Sequence, residues 1–527
     1  MTGGTVSAGA VRPYRSSVGT GRDGFTQLVR AEWTKFRSVR GWVAGLVAAA
    51  LVTAAIGLLS ATAGQRICAG GAGHGCYVAP LGPGGEAVSD NFSFVHQTLT
   101  GDGGITVRVD SLSESLTQGG APAGPAAEAV QVPWAKAGVI VKDGTAAGSA
   151  YAAVLVTGGN GVRMQDDFTH DTAGLPGAAS AASPRWLRLL RSGTTLTGYD
   201  SLDGTHWTEL GRAVLAGLPR TVQIGLFTTS PNVILTSGQS TGGAAGSSLP
   251  TQATAGFGAV RLTGADGSWQ ATAVGTVDQP LPADQYRRTA AGFTLTGAGD
   301  IAPSVPGPSG DGQPVERTLV GAFAGLMAVI VLGTLFVTAE YRRGLIRTTL
   351  TAVPRRGRVL AAKAVVVGVA AFAAGLAACA VALPLGLRIM RGNGIDVLPV
   401  GTGTELRVVV GTAALIVVTA VLALAVGTLL RRSVGAVLLV VALTVLPYLL
   451  ATAAVLPAAP SEWLLRLTPA AGFAIQQSIP AYHQVAGGYT PAGGFYPLAP
   501  WAGFAVLCGW TAAALALAAH RLRRRDA

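Results

Sequence analysis

The sequence predicts an α-helical multi-pass membrane domain of six transmembrane helices, interrupted after the first of them by an inserted all-β sandwich domain. Three observations carry that expectation. The chain of 527 residues is 49% hydrophobic and only 12% charged; it holds six apolar runs; and one long polar stretch shows strand-like alternation. A hydrocarbon core of about 30 Å takes about twenty residues of helix. Runs at 42–63, 319–338, 359–387, 406–430, 434–456 and 501–520 meet that length. A formal net charge of +12 would suggest nucleic acid in a soluble chain. Here the basic residues sit at the ends of the apolar runs, so no nucleic-acid partner is expected and the charge belongs to a lipid membrane.

Residues 1–24, rich in Gly, Ser and Thr, read as a disordered cytoplasmic tail. The unit at 25–63 opens with "FTQLVRAEWTKFRSVRGW", in which Phe25, Leu28, Val29, Trp33 and Phe36 recur at helical spacing. That pattern predicts an amphipathic interfacial helix, with Trp33 and Trp42 as headgroup anchors, leading into the first span. A basic stretch, an apolar run and the small residues Ala61 and Ala63 imitate a signal peptide. The run begins beyond residue 40 and exceeds the usual signal length, which favours an uncleaved anchor.

Orientation follows from the basic clusters. Arg30, Lys35, Arg37 and Arg40 precede span one, Arg431 and Arg432 follow span four, and Arg521, Arg523, Arg524 and Arg525 follow span six. Basic residues close to a span stay cytoplasmic. The expectation is a cell-membrane protein with both termini cytoplasmic and residues 64–315 extracellular. Arg388 and Arg391, after span three, run mildly against it.

Within 64–315, "GITVRVDSL", "KAGVIVKD", "SAYAAVLVTGGNGVRMQ", "RWLRLLRSGTTLTGYDSLDGTHWTELG" and "TVQIGLFTTS" read as strands, with turns at Asn160-Gly161, Ser192-Gly193 and Asp203-Gly204. Antiparallel hairpins in a sandwich result. Cys68 and Cys76 are expected to form a disulfide where this domain leaves the membrane. Cys379 and Cys508 lie in spans and read as packing residues. Asp166, Asp167, His170 and Asp171 gather in "QDDFTHD", which reads as a solvated hairpin rather than a metal site. Neither metal nor cofactor is expected. Trp134, Tyr151, Trp186, Tyr199 and Trp207 are candidate glycan contacts, set against the reading that alternating aromatics pack in a core. No E-x-D-x-x-E cluster supplies the paired carboxylates of glycosidic cleavage.

The stretch "EYRRGLIRTTLTAVPRRGRVLAAK", 340–363, sets seven basic side chains between two apolar runs. "RRGLIRTTLTA" offers a short helix with Leu345, Ile346, Leu350 and Val353 as its apolar positions, ending before Pro354. The residues alone leave two readings, a topology signal or a docking helix.

The arrangement resembles the permease subunit of a type 2 ABC exporter: "LVRAEWTKFRS" before span one, the 340–363 loop between spans two and three, and the remaining spans within 316–527. The resemblance implies that this loop carries a coupling helix that fits a cleft in an ATPase subunit. Arg342, Gly344, Ile346, Arg347, Leu350, Pro354, Arg355, Arg356 and Arg358 would form or flank the contact, with Glu340 at the cytoplasmic end of span two. No Gly-Lys pair occurs in the sequence, so the G-x-x-x-x-G-K-[ST] phosphate cradle is missing and the ATPase would be a separate polypeptide. The chain itself is then no enzyme. In that family six spans make half a path, so the resemblance implies a second permease subunit in a homo- or heterodimer, moving a substrate the sequence does not reveal. The stretch at about 90–263 resembles the concanavalin A-like jelly-roll domain at the end of some β-xylosidases, on "AGVIVKD", "YAAVLVTGGNGVR", "WLRLLRSGTTLTGYDSLDGTHWTELG" and "ATAGFGAVRLTG". A surface receptor or adhesin that binds an extracellular glycan is the alternative, although an anchor needs a single span.

Overall fold

The computed structural model describes residues 24–63, 78–117, 130–236, 246–275, 279–282, 285–290, 292–306, 312–352, 355–453, 455–485, 487 and 489–524. The expectations placed on the tail, on Cys68 and Cys76 and on Pro354 concern residues outside this set.

Nine α-helices occur among the described residues: α1 (Phe25–Ser38), α2 (Arg40–Thr62), α3 (Ala322–Arg342), α4 (Leu345–Ala352), α5 (Arg356–Gly392), α6 (Thr402–Leu430), α7 (Ser433–Thr452), α8 (Ala458–Leu467) and α9 (Pro500–Arg524). Six of them, α2, α3, α5, α6, α7 and α9, are long and apolar enough to cross a membrane. Each expected apolar run maps onto one of these six. The exact ends differ because polar residues at the rims continue the backbone hydrogen bonds, most of all in α5, whose 37 residues overrun the apolar run at both ends.

Small residues let these helices approach closely, as lipid-embedded helices require. A Cβ on Gly333 of α3 would lie 2.5 Å from the carbonyl oxygen of Ala420 in α6. One on Gly57 of α2 would lie 2.2 Å from the carbonyl oxygen of Thr318. Leu326, Ile330, Val366, Ala371, Ile416, Ala420 and Leu424 fill the space between α3, α5 and α6. A 3-10 turn, Pro469–Gln476, is buried against α6 and α9: Ile475 lies against Gly411, and Ala471 against Gly503.

The inserted domain is two packed antiparallel sheets. The eight-stranded sheet runs, in spatial order, Gln279–Pro280, Gln270–Val274, Phe92–Thr100, Thr221–Thr229, Lys136–Lys142, Tyr151–Thr157, Val162–Asp166 and His170–Ala173. The seven-stranded sheet runs Thr208–Val214, Thr195–Ser201, Arg185–Ser192, Gly103–Leu116, Thr251–Thr263, Gly292–Gly297 and Tyr286–Thr289. Val95, Val139 and Val154 of the first face Val107, Leu187 and Leu295 of the second. The three expected turns are present, and each places its glycine at positive φ: Gly161 at 73°, Gly193 at 62° and Gly204 at 76°. Strands continue to Pro303, forty residues past the expected limit of 263. The later strands are short and rich in Gly, Thr and Arg, so they carry little alternation to read.

The entry and exit of the insertion meet. Val88–Asp90 pairs antiparallel with Ile301–Pro303, Ser89 opposite Ala302. This neck lies on the outer face of the eight-stranded sheet and is pinned there by two buried ion pairs. Lys142 Nζ reaches Asp90 at 2.7 Å and Lys136 Nζ reaches Asp300 at 2.6 Å. The neck then packs on the helical domain. Ala79, Ala87, Ala302 and Val305 meet Leu398, Ile479, Val485 and Phe495 from the loops after α5 and before α9. Gln484 Nε2 donates to the carbonyl oxygens of Phe168 and Thr169, each at 3.2 Å. Those carbonyls belong to a hairpin whose Asp167 and Phe168 hold positive φ, 40° and 62°, a conformation costly for residues with a side chain.

Candidate functional site

At the end of the helices opposite the β domain, four charged side chains close into one network. α1 buries a single face, with Phe36 6% and Glu32 1% exposed and Val29 packed alongside. The spacing of positions 29, 32 and 36 keeps them on one stripe. Phe36 meets Phe336 of α3 edge-on at 5.8 Å, and Trp42 meets the same ring at 5.9 Å. Glu32 would be stranded among these rings without a cation.

Lys363, near the start of α5 and 1% exposed, supplies it. Its Nζ lies 2.8 Å from Glu32 Oε2 and 2.7 Å from Glu340 Oε1, over the Phe336 ring at 4.8 Å. Lys35 closes the ring from the surface, 3.1 Å from Glu32 and 3.4 Å from Glu340. Burial draws the Lys35 ammonium toward a lower pKa, but the Glu32 and Glu340 carboxylates outweigh it and hold the group above its ordinary value. Two acids and two bases cancel, which is what makes burial tolerable. An unpaired charge here would cost several kcal/mol. Lys35 Nζ also donates to Thr349 Oγ1 of α4 at 3.4 Å. The network thus ties α1, α3, α4 and α5 to one point.

α4 turns away from the line of α3. Gly344, at φ 68°, breaks the chain out of α3. Leu345 is 49% exposed and Arg342 is exposed, whereas Ile346 is turned inward and 7% exposed. Leu345 rather than Ile346 therefore offers the free apolar surface of this helix. The side chains of Arg347 and Leu350 lie outside the described set. Arg355 is exposed, and Arg356 Nη1 donates to the Leu522 carbonyl of α9 at 2.7 Å. Arg431, at the end of α6, stacks on Tyr341 at 5.1 Å. The basic clusters at the ends of α1, α3, α6 and α9 thus share one end of the molecule.

α1 divides the expected apolar stripe. Phe36 is buried and Leu28 and Val29 are half-buried, but Phe25 and Trp33 are exposed at 39% and 37%. That leaves the last two free to sit in a headgroup layer. Glu32 was not singled out by pattern, and Lys35 and Lys363 only as basic residues beside spans, since an acid or lysine on an amphipathic helix ordinarily marks the wet face. The one signal was a carboxylate at the position 29 + 3, inside the apolar stripe.

The five candidate glycan aromatics separate onto two sheets. Tyr151 is 1% exposed, packed on Phe168 at 4.8 Å, so it is a core residue and not a contact. Trp134 is 9% exposed, with Arg163 stacked on it at 5.3 Å. Trp186, Tyr199 and Trp207 are half-exposed on the outer face of the seven-stranded sheet. The carboxylates of "QDDFTHD" are already engaged: His170 with Asp166 at 3.0 Å, Arg163 with Asp171 at 3.2 Å, and the Tyr151 amide with Asp167 at 3.2 Å.

At the opposite end from the charge network, a cavity of about 190 Å³ lies between the neck and the helical domain, lined by Glu86, Ser304, Thr404, Ser478 and Tyr482 among others. Burial raises the pKa of Glu86. Glu316, half-buried, accepts hydrogen bonds from the Ser478 hydroxyl and amide.

Six spanning-length helices, a charge-pinned basic end and a β sandwich at the other end define a polytopic membrane protein with a projecting helix. The family described as ABC-2 family transporter protein matches residues 226–527, more than half of the chain. The chain belongs to that family. The match takes in α3 to α9 and leaves α1 and α2 outside it. No curated protein matches the chain. Among solved structures, a functionally unknown protein from Saccharomyces cerevisiae is similar at 14% identity, covering 33% of this chain and 74% of that one, with a TM-score of 0.20. SCP-B, a member of the Eqolisin family of peptidases in complex with the tripeptide Ala-Ile-His, is similar at 11% identity, covering 40% and 99%, with a TM-score of 0.23. Scytalido-glutamic peptidase with a transition-state analogue inhibitor gives 11%, the same coverage and 0.24. Likenesses this slight carry no argument about fold or chemistry.

Proposed function

We propose that the chain is the permease half of an ATP-driven exporter, with residues 340–363 as the contact for a separate ATPase subunit. The observation that supports this most is α4: a short helix with an exposed leucine, tied through Thr349 and Lys35 to the one point where α1, α3 and α5 meet. A push on α4 is then delivered to three helices together. In this reading the basic end is cytoplasmic, residues 64–315 lie outside, and Leu345, Arg342, Arg355 and Arg358 take part in the contact. Ile346 serves it indirectly by seating α4. α2 and α9 keep most of their surface exposed, which suits lipid and a second permease subunit.

The experiment is co-expression and co-purification with a candidate ABC ATPase subunit, and measurement of its ATP hydrolysis with and without the permease. Stable capture and a permease-dependent change in hydrolysis are expected. An ATPase that ignores the permease removes the assignment and leaves the surface glycan-binding reading in its place.

A further inference from the structure

The three half-exposed aromatics on the seven-stranded sheet share their face with arginine. Register sets Arg261, Thr106, Arg188 and Tyr199 side by side across four neighbouring strands. With strands about 4.8 Å apart, the Cα atoms of Arg261 and Arg188 stand about 10 Å from one another. In the next row Arg108 lies beside Trp186.

Two of these arginines, Arg188 and Arg108, are held in place. The Arg188 guanidinium lies 3.8 Å from the centroid of the Trp207 ring, and its Nε donates to Thr106 Oγ1 at 3.1 Å. Stack and hydrogen bond together fix the guanidinium and leave its Nη donors at the rim of the ring. Arg108 is paired with Asp110. Among the described residues, Arg188 and Arg261 pair with no carboxylate. A fixed guanidinium with open donors matches a carboxylate or phosphate two bonds at a time, and the rims of Trp207 and Tyr199 offer the apolar surface that sugar rings pack against.

Direction narrows the partner. The sandwich turns its other sheet toward the neck and the helical domain, so the arginine face looks away from the membrane and no bilayer surface of the same cell can lie on it. We infer that this face binds an acidic polysaccharide of the cell's exterior, its anionic groups on Arg188 and Arg261 and its rings against Trp207 and Tyr199. The inference rests on the reading that places residues 64–315 outside. It does not depend on the ATPase contact, so the two can fail separately.

The test uses the full chain in detergent micelles and three fluorescent probes: polygalacturonate, neutral dextran and poly-L-glutamate. Polygalacturonate is expected to bind, more weakly as salt is raised, and at least tenfold more tightly than either of the others. The Arg188→Gln, Arg261→Gln double variant is expected to lose at least tenfold of that affinity. Arg261→Gln alone changes an exposed side chain that no packing depends on, and is expected to weaken binding severalfold with an unchanged melting temperature. Equal binding of poly-L-glutamate would reduce the face to unspecific charge and overturn the inference. So would polygalacturonate that binds nowhere, or that binds the double variant as it binds the parent.

Discussion

Lys363 and Glu32 are separated by 331 residues in sequence and meet at 2.8 Å, each 1% exposed. The contact fastens a helix that precedes the first span to the start of the third. Because Glu340 shares the same ammonium at 2.7 Å, displacing α5 alone would take the one buried cation from both carboxylates.

The first expectation concerns that pin. Lys363→Met leaves two carboxylates with only the half-exposed Lys35 to neutralise them and is expected to destabilise the protein by about 3 kcal/mol, read as thermal unfolding in detergent. Adding Glu32→Gln removes one stranded charge and is expected to restore part of the loss. A double variant whose loss is the plain sum of the single losses, within about 0.5 kcal/mol, would show that the two groups do not interact.

Leu345 and Ile346 separate contact from architecture. Leu345→Asp alters an exposed side chain and is expected to leave the permease's melting temperature unchanged while weakening ATPase capture about tenfold, the worth of about 1.4 kcal/mol of lost apolar burial. Ile346→Asp places a charge at a buried position and is expected to lower the melting temperature itself. The reverse result, with Leu345→Asp silent in capture, would take α4 out of the contact.

Orientation is measurable with single cysteines in a Cys-free background. Ser192, on an exposed turn of the β domain, and Ser433, at the start of α7, are expected to react with an impermeant thiol reagent from opposite sides of the membrane. Labelling from one side for both would break the six-span topology.

What could be read in the sequence follows from range. Spans announce themselves by about twenty consecutive apolar residues, and the hairpin turns by Asn-Gly and Asp-Gly pairs, all local signals. The network at Lys363 is written nowhere locally, since its partners lie hundreds of residues apart and a lone Glu32 reads as surface. The facing of α4 depended on phase: eight residues are too few for periodicity to choose between Leu345 and Ile346, and the contact with the bundle chose Ile346 for burial. Tyr151 looked available because alternation marks both faces of a strand. The neck covers the outer face of that sheet, so both of its sides are dry.

Glu114, near the end of the strand Gly103–Leu116, gives a pH signature. Burial raises its pKa from an ordinary 4.5 to about 7. The folded domain therefore holds a proton that the unfolded chain releases, so stability declines as pH climbs from about 4.5 to about 7 and is level above. Glu114→Gln removes the decline. With the half-exposure of the group discounted, the variant is expected to be more stable than the parent by about 1 kcal/mol at pH 8 and equal to it at pH 4. A gain of the same size at both pH values would refute the titration.

The pairing of Val88–Asp90 with Ile301–Pro303 has a consequence for ancestry. A domain whose two ends leave side by side asks of its host only two neighbouring attachment points. The helical part provides them independently, because Gly57 near the end of α2 already lies against Thr318 just ahead of α3. Excising the sandwich at its neck would remove the packing on the loops after α5 and before α9 but none of the side chains that fill the space between α3, α5 and α6. The β domain is therefore attached as a cassette would be, at two points that the helices already bring side by side.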